Sequence, residues 1–152
     1  MVLLLIATAS AFGWFMAFLS IPTDLASGLT HISRSGAVQL FMIDVLVLIL
    51  GAVMDMAPLI LILTPVLLPI VTAPPISMDP IQFGILLLMN LAIGLTTPPV
   101  GTALFVGCGI GKTSLESVSR SMLLFWPPLI VVLFLITYFP GLVTFLPHLL
   151  GM

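Results

Sequence analysis

Residues 90–101 constrain this chain more than any others. The stretch Asn-Leu-Ala-Ile-Gly-Leu-Thr-Thr-Pro-Pro-Val-Gly interrupts a long apolar run with hydroxyls, adjacent prolines and glycines. A regular helix cannot pass through Pro98-Pro99, because proline has no amide donor and its ring clashes with the preceding turn. The flanks are as apolar as a membrane helix, and in hydrocarbon an unpaired peptide group is costly. Broken backbone persists at that depth only where protein covers it or a watery cavity bathes it, the usual setting of a binding site in a protein that moves a solute.

Composition agrees with a bilayer as solvent. Of 152 residues, 61% are hydrophobic and 5% charged, and the mean hydropathy is +1.42, whereas soluble domains are about a quarter charged. The net charge of -2 comes from few groups, with no basic cluster to hold nucleic acid or anionic lipid. Cys108 is the single cysteine, which excludes an intrachain disulfide, a dithiol redox pair and a thiolate metal cluster.

Residues 2–19 make about 27 Å of helix, one crossing, and lack the basic leader of a signal peptide. A chain that starts directly inside such a helix reads as part of something longer, or as one half of a two-piece assembly. Residues 20–36, with Pro22, Asp24, Gly28, His31 and Arg34, read as a loop containing a short interfacial helix. The apolar block 39–72 exceeds one span of about 20 residues and falls short of two joined by a turn. A re-entrant hairpin over 39–71 fits, with arms 39–52 and 57–71 of about 21 to 22 Å each, short of a bilayer core. Its tip falls at Gly51-Ala52-Val53-Met54-Asp55, and Pro58, Pro65 and Pro69 are expected to bend the second arm. A single kinked span is the alternative.

Residues 72–80 form a surface turn in which Asp79 is expected to cap a helix with Pro80 at its first position. That helix runs over 81–95, breaks, and resumes over 100–110, so that 81–110 is one discontinuous span. Lys112, Glu116 and Arg120 share one face of an amphipathic connector, 111–121, with Leu115, Val118 and Met122 on another. A last span covers 122–139, dented by Pro127-Pro128, and the tail 140–152 is apolar and interfacial. The fold class is all-α integral membrane, with about three transmembrane spans of bilayer length, one of them discontinuous, plus the hairpin. Lys112 and Arg120 against Arg34 put the connector on the cytoplasmic side, with the hairpin mouth and the C-terminus outside.

Asn90, Thr96, Thr97 and Thr102 offer neutral oxygens beside carbonyls freed by the break, the ligands a hard cation such as sodium takes. Restarted amides near Val100 and Gly101 suit a carboxylate. The competing reading is a proline kink whose threonines bond back to their own helix. Asp55, inside an apolar block, shapes a site at the hairpin tip, caps the second arm through the amide of Ala57 or Leu59, or does both. Asp44 sits either in the aqueous mouth of the hairpin or, on an unbroken helix, on one face with Asp55 as an acid–base pair. His31 and His148 have no partners at metal-ligand spacing.

Five elements taken together resemble the large membrane subunit of TRAP transporters, the DctM-like type. They are Gly51 to Asp55, the Pro65 and Pro69 pair, Asp79-Pro80-Ile81-Gln82-Phe83-Gly84, residues 90–101, and Tyr138-Phe139-Pro140. The resemblance implies a non-enzymatic, sodium-driven secondary transporter in the bacterial inner membrane, taking up C4-dicarboxylates, sialic acid or related organic anions. It implies one half of an inverted-repeat, elevator-type permease with no cofactor beyond the coupling ion. The ion and substrate residues would be Gly51, Asp55, Asn90, Gly94, Thr96, Thr97, Pro98, Pro99, Gly101 and Thr102, with sodium at Asn90, Gly94, Thr96 and Thr97. Implied partners are a small membrane subunit, an extracytoplasmic solute-binding protein and the N-terminal half of the permease, which has no counterpart in this sequence. Two other classes stay open on the residues alone: an intramembrane aspartyl hydrolase using Asp44 and Asp55, and a scaffold that transports nothing.

Overall fold

The computed structural model describes residues 2–98 and 101–149, without the side chains of Val2, Leu5, Thr102, Leu146 and His148. The described residues form helices and no strand. In chain order these are α1 (Val2–Phe18), α2 (Ile21–Ile32), α3 (Gly36–Val53), α4 (Met56–Thr72) and α5 (Pro80–Leu95), then α6 (Thr102–Gly111), α7 (Leu115–Met122), α8 (Trp126–Tyr138) and α9 (Pro140–Leu149).

Local chemistry sets the boundaries. Asp79 caps α5 as its position before proline suggests, with its Oδ1 accepting from the Ile81 amide at 2.8 Å and Pro80 in the first turn. Ser20 takes the left-handed conformation (φ 57°), so the chain turns sharply after α1. The polar segment that follows is helical over twelve residues rather than mostly loop, bent 61° from the preceding helix, with no buried residue. The last apolar segment is also shorter than expected. The chain turns after α7, and α8 starts only at Trp126, because Pro127 and Pro128 fit the amide-poor first turn of a helix and not its interior.

The first hairpin arm is longer than its sequence suggests. Ser35, in extended conformation, starts α3 early: its carbonyl accepts from the amides of Val38 and Gln39 at 3.1 Å each. With 18 residues, α3 extends about 27 Å. It is the one helix among the described residues long and apolar enough to cross a membrane alone. Ile6–Phe18 with Ile21–Ile32, and Leu115–Met122 with Trp126–Tyr138, reach that length and composition only as bent pairs, the second bent by 52°. Helix α4 continues through both Pro65 and Pro69. The Pro65 ring lies against α1 at Gly13, where an added Cβ would sit 3.0 Å from Pro65 Cγ.

Helix α5 is the hub, packed against α3, α4, α8 and α9, while α4 also lies on α1. The apolar core runs through Ile43 and Val47 of α3, Leu59, Leu63 and Val71 of α4, and Phe83, Leu86 and Leu91 of α5. Outward residues such as Phe41, Leu46, Ile49, Val106 and Ile110 are apolar and exposed, a surface suited to hydrocarbon. Among these apolar helices, polar side chains supply cross-links. Gln82 donates Nε2 to the carbonyls of Ile136 and Thr137 at 2.9 and 3.1 Å, in the last turn of α8, where helix carbonyls lack partners of their own. Tyr138 donates its hydroxyl to the Ala37 carbonyl at 3.0 Å.

Where α3 meets α5 the contact is glycine on glycine. A Cβ built on Gly94 would lie 2.5 Å from the Gly51 carbonyl carbon and 2.8 Å from its Cα, so the Gly51 backbone leaves no room for a side chain at Gly94. Gly94→Val is expected to cost at least about 1–3 kcal/mol through overpacking of this seam. Gly84→Ala, where an added Cβ meets nothing within 4 Å, is expected to be neutral or to stabilise by up to about 1 kcal/mol. Unfolding of the two variants in detergent, followed by circular dichroism, checks the contrast.

Candidate functional site

The glycine contact sets the site. Gly51 opens the hairpin tip and Gly94 lies one residue before the end of α5, so their approach holds the tip of residues 51–55 beside the helix break. Of the residues singled out in the sequence, Gly51, Gly94, Thr96 and Thr97 gather here. Asn90 stands one turn before Gly94 on the same helix. Pro99 lies outside the described residues, as does Val100 with its amide, and so does the side chain of Thr102.

At the break, Thr96 and Thr97 each donate a hydroxyl to the carbonyl of Ile93 at 2.8 Å. Their amides bond to Ile93 O at 3.1 Å and Gly94 O at 2.9 Å. This is the back-bonding of a proline kink. Each hydroxyl has given its only proton and keeps its lone pairs, so both oxygens can accept a donor or ligate a cation. Gly101 returns the chain over the end of α5: its amide donates to Thr97 O at 3.2 Å, and a Cβ there would lie 2.9 Å from Leu95 O and 3.1 Å from Thr97 O. Thr96, Thr97 and Pro98 are half-buried. Carbonyl oxygens thus crowd the break on the side where only glycine fits.

Asp55 occupies the N-cap position of α4, exposed, and its carbonyl accepts from the Leu59 amide at 3.4 Å. Its side chain makes no capping bond to α4, so the expected cap through the amide of Ala57 or Leu59 does not form. It remains at the hairpin tip.

Asp44 departs most from expectation. It is 2% exposed, neither solvated in a mouth nor paired with Asp55. Helix α3 ends at Val53, so the two acids do not share one helix face. Thr137 of α8 donates to Asp44 Oδ2 at 2.9 Å, and Asn90 donates Nδ2 to Asp44 Oδ1 at 3.2 Å and to the Asp44 carbonyl at 3.1 Å. The network joins α3, α5 and α8 inside the core. Part of it was visible in helical spacing: Asp44 and Gly51 are two turns apart on α3, and Asn90 and Gly94 one turn apart on α5, so once the glycines meet, the acid and the amide face the same interface. Thr137, 93 residues from Asp44, gave no such signal.

Thr137→Val removes a charge-assisted bond to a buried carboxylate and is expected to destabilise by about 1.5–3 kcal/mol. Thr144→Val, which removes only a back-bond to the Pro140 carbonyl, is expected to cost under about 1 kcal/mol. Thermal unfolding of both variants in detergent checks the difference.

Comparison with known proteins places this geometry. Residues 1–142 match the family described as the tripartite ATP-independent periplasmic transporter, DctM component. The chain is 43% identical over 148 residues to the uncharacterized protein YgiK of Salmonella typhimurium, covering 97% of this chain and 34% of that protein. It is 36% identical to the sialic acid TRAP transporter large permease protein SiaM of Vibrio cholerae, covering 97% and 34%. To the C4-dicarboxylate TRAP transporter large permease protein DctM of Pseudomonas aeruginosa it is again 36% identical, covering 100% and 35%. The chain therefore spans about a third of the length of these relatives. Those named for an activity are permeases and not enzymes, which removes the aspartyl hydrolase reading, already without a dyad in the structure. On a match that takes in most of its residues, the chain belongs to the DctM family of tripartite ATP-independent periplasmic transporter components, which are integral membrane proteins.

Proposed function

We propose that this chain supplies one half of the transport site of a sodium-coupled secondary importer of organic anions. The observation that carries the proposal is the glycine seam of α3 and α5, which sets the hairpin tip against the Thr-Thr-Pro-Pro break. Residues 39–71 act as the hairpin and 81–110 as the broken span of one inverted repeat. Sodium is held by oxygens at Asn90, Gly94, Thr96 and Thr97. The substrate carboxylate lies against Gly51, Asp55, Pro98, Pro99, Gly101 and Thr102, where the amides of the restarting helix favour negative charge.

Relatives named for sialic acid, C4-dicarboxylates and isethionate support the substrate class, small anions bearing a carboxylate or a similar acid. The N-terminal half of the permease completes the site, a small membrane subunit braces it, and an extracytoplasmic solute-binding protein delivers substrate at the bacterial inner membrane. The helix pairs slide as a body against their scaffold, so that the site is reached from each side in turn.

A purely structural reading of the break has one observation in its favour, the back-bonding of both threonine hydroxyls to Ile93. Thr97→Ala in the complete transporter separates the two. A ligand role predicts that the sodium concentration giving half-maximal uptake rises about tenfold, the order of one lost bond to a charge, with insertion into the membrane retained. An unaltered sodium dependence contradicts the assignment.

A further inference from the structure

We infer that Asp44 is a positioning residue: it turns the Asn90 side chain so that its carbonyl oxygen, and not its NH2 group, is free to ligate the coupling cation. Asn90 is taken as a sodium ligand, as proposed for the helix break, and the role of Asp44 rests on that reading.

The two ends of an asparagine amide are nearly isosteric, so its partners decide which way it faces. Here the partners are Asp44 Oδ1 at 3.2 Å and the Asp44 carbonyl oxygen at 3.1 Å. Both are acceptors, and only NH2 can face them. Oδ1 is thereby forced to the other side, where it is buried and meets no donor among the described residues. Asn90 is fully buried, at 0% exposure. An orphaned carbonyl oxygen in an apolar core calls for an explanation, and an amide oxygen is a ligand of the kind hard cations take.

The carboxylate of Asp44 is engaged at both ends, Oδ1 accepting from Asn90 Nδ2 and Oδ2 from Thr137 Oγ1. Thr137 holds the carboxylate from the opposite side. Its hydroxyl also lies 2.9 Å from the Leu133 carbonyl, so it can rotate to donate there and accept from a group at position 44.

The test is sodium-dependent uptake by the complete transporter in proteoliposomes. Asp44→Leu leaves only the main-chain carbonyl of residue 44 facing the Asn90 amide and is expected to raise the half-saturating sodium concentration by up to about twofold, the limit for a fully randomised amide, with the change falling on sodium rather than on the maximal rate. Asn90→Ala, which removes the ligand itself, is expected to raise it about tenfold, and Asn90→Ala combined with Asp44→Leu no more than Asn90→Ala alone, since Asp44 acts through Asn90. Asp44→Asn should leave it unchanged. With Thr137 accepting, the oxygen of the new amide still faces the Asn90 NH2.

If Asp44→Leu fails to reach the membrane, Asp44→Asn combined with Thr137→Val, which abolishes that rotation, takes its place. Additive shifts in the double variant overturn the inference. So does an Asp44→Asn shift as large as that of Asp44→Leu, which would mark an effect of charge. A sodium shift in Thr97→Ala but not in Asn90→Ala overturns the role of Asp44 alone, whereas no shift in either removes the sodium site itself.

Discussion

Two backbones in contact at Gly51 and Gly94 are the constraint on which the rest of the site depends. A side chain at Gly94 would push α3 from α5, since the space for a Cβ there is already filled by main-chain atoms of Gly51. In a bilayer, where apolar surface gains little by leaving lipid, close backbone approach and its dispersion contacts hold helices together. The same approach brings a hairpin tip to a helix end. Both are places where backbone polar groups lie outside regular helix hydrogen bonding, and in hydrocarbon such groups have to be met by protein, water or a ligand.

The interior is also joined by polar side chains, and each cross-link has a definite acceptor. Gln82 serves the last carbonyls of α8, and Asp44 receives Asn90 and Thr137. A carboxylate buried in an apolar core is tolerated when donors converge on it, and loss of one donor then costs more than the bond itself contributed, because the charge remains. The network therefore ties three helices into one body around the glycine seam.

Much of this was legible in the sequence. The Asp79 cap, the proline at the start of α5 and the end of that helix at the Thr-Thr-Pro-Pro break follow from local chemistry, where one or two residues decide the outcome. The family could be read from the order of the hairpin-tip, Asp-Pro and Thr-Thr-Pro-Pro elements. What escaped was decided by partners distant in sequence or by conformations that composition does not announce. The left-handed turn at Ser20 and the helix that follows it arose in a segment rich in loop residues. Ser35 lengthened α3 by supplying a helix start upstream of the apolar block. Asp44 looked solvated because the donors that bury it come from α5 and α8. The orphaned oxygen of Asn90 follows from that pairing and was invisible before it.

The central claim is that the glycine seam and the helix break form half of a sodium and organic-anion site that other polypeptide completes. Uptake of a radiolabelled C4-dicarboxylate into proteoliposomes tests it most directly, comparing this chain alone with this chain plus the N-terminal permease half, the small membrane subunit and the solute-binding protein. The account predicts uptake only with the full set of partners, and only with an inward sodium gradient. Uptake by the chain alone, or uptake by the full set that ignores sodium, would contradict it.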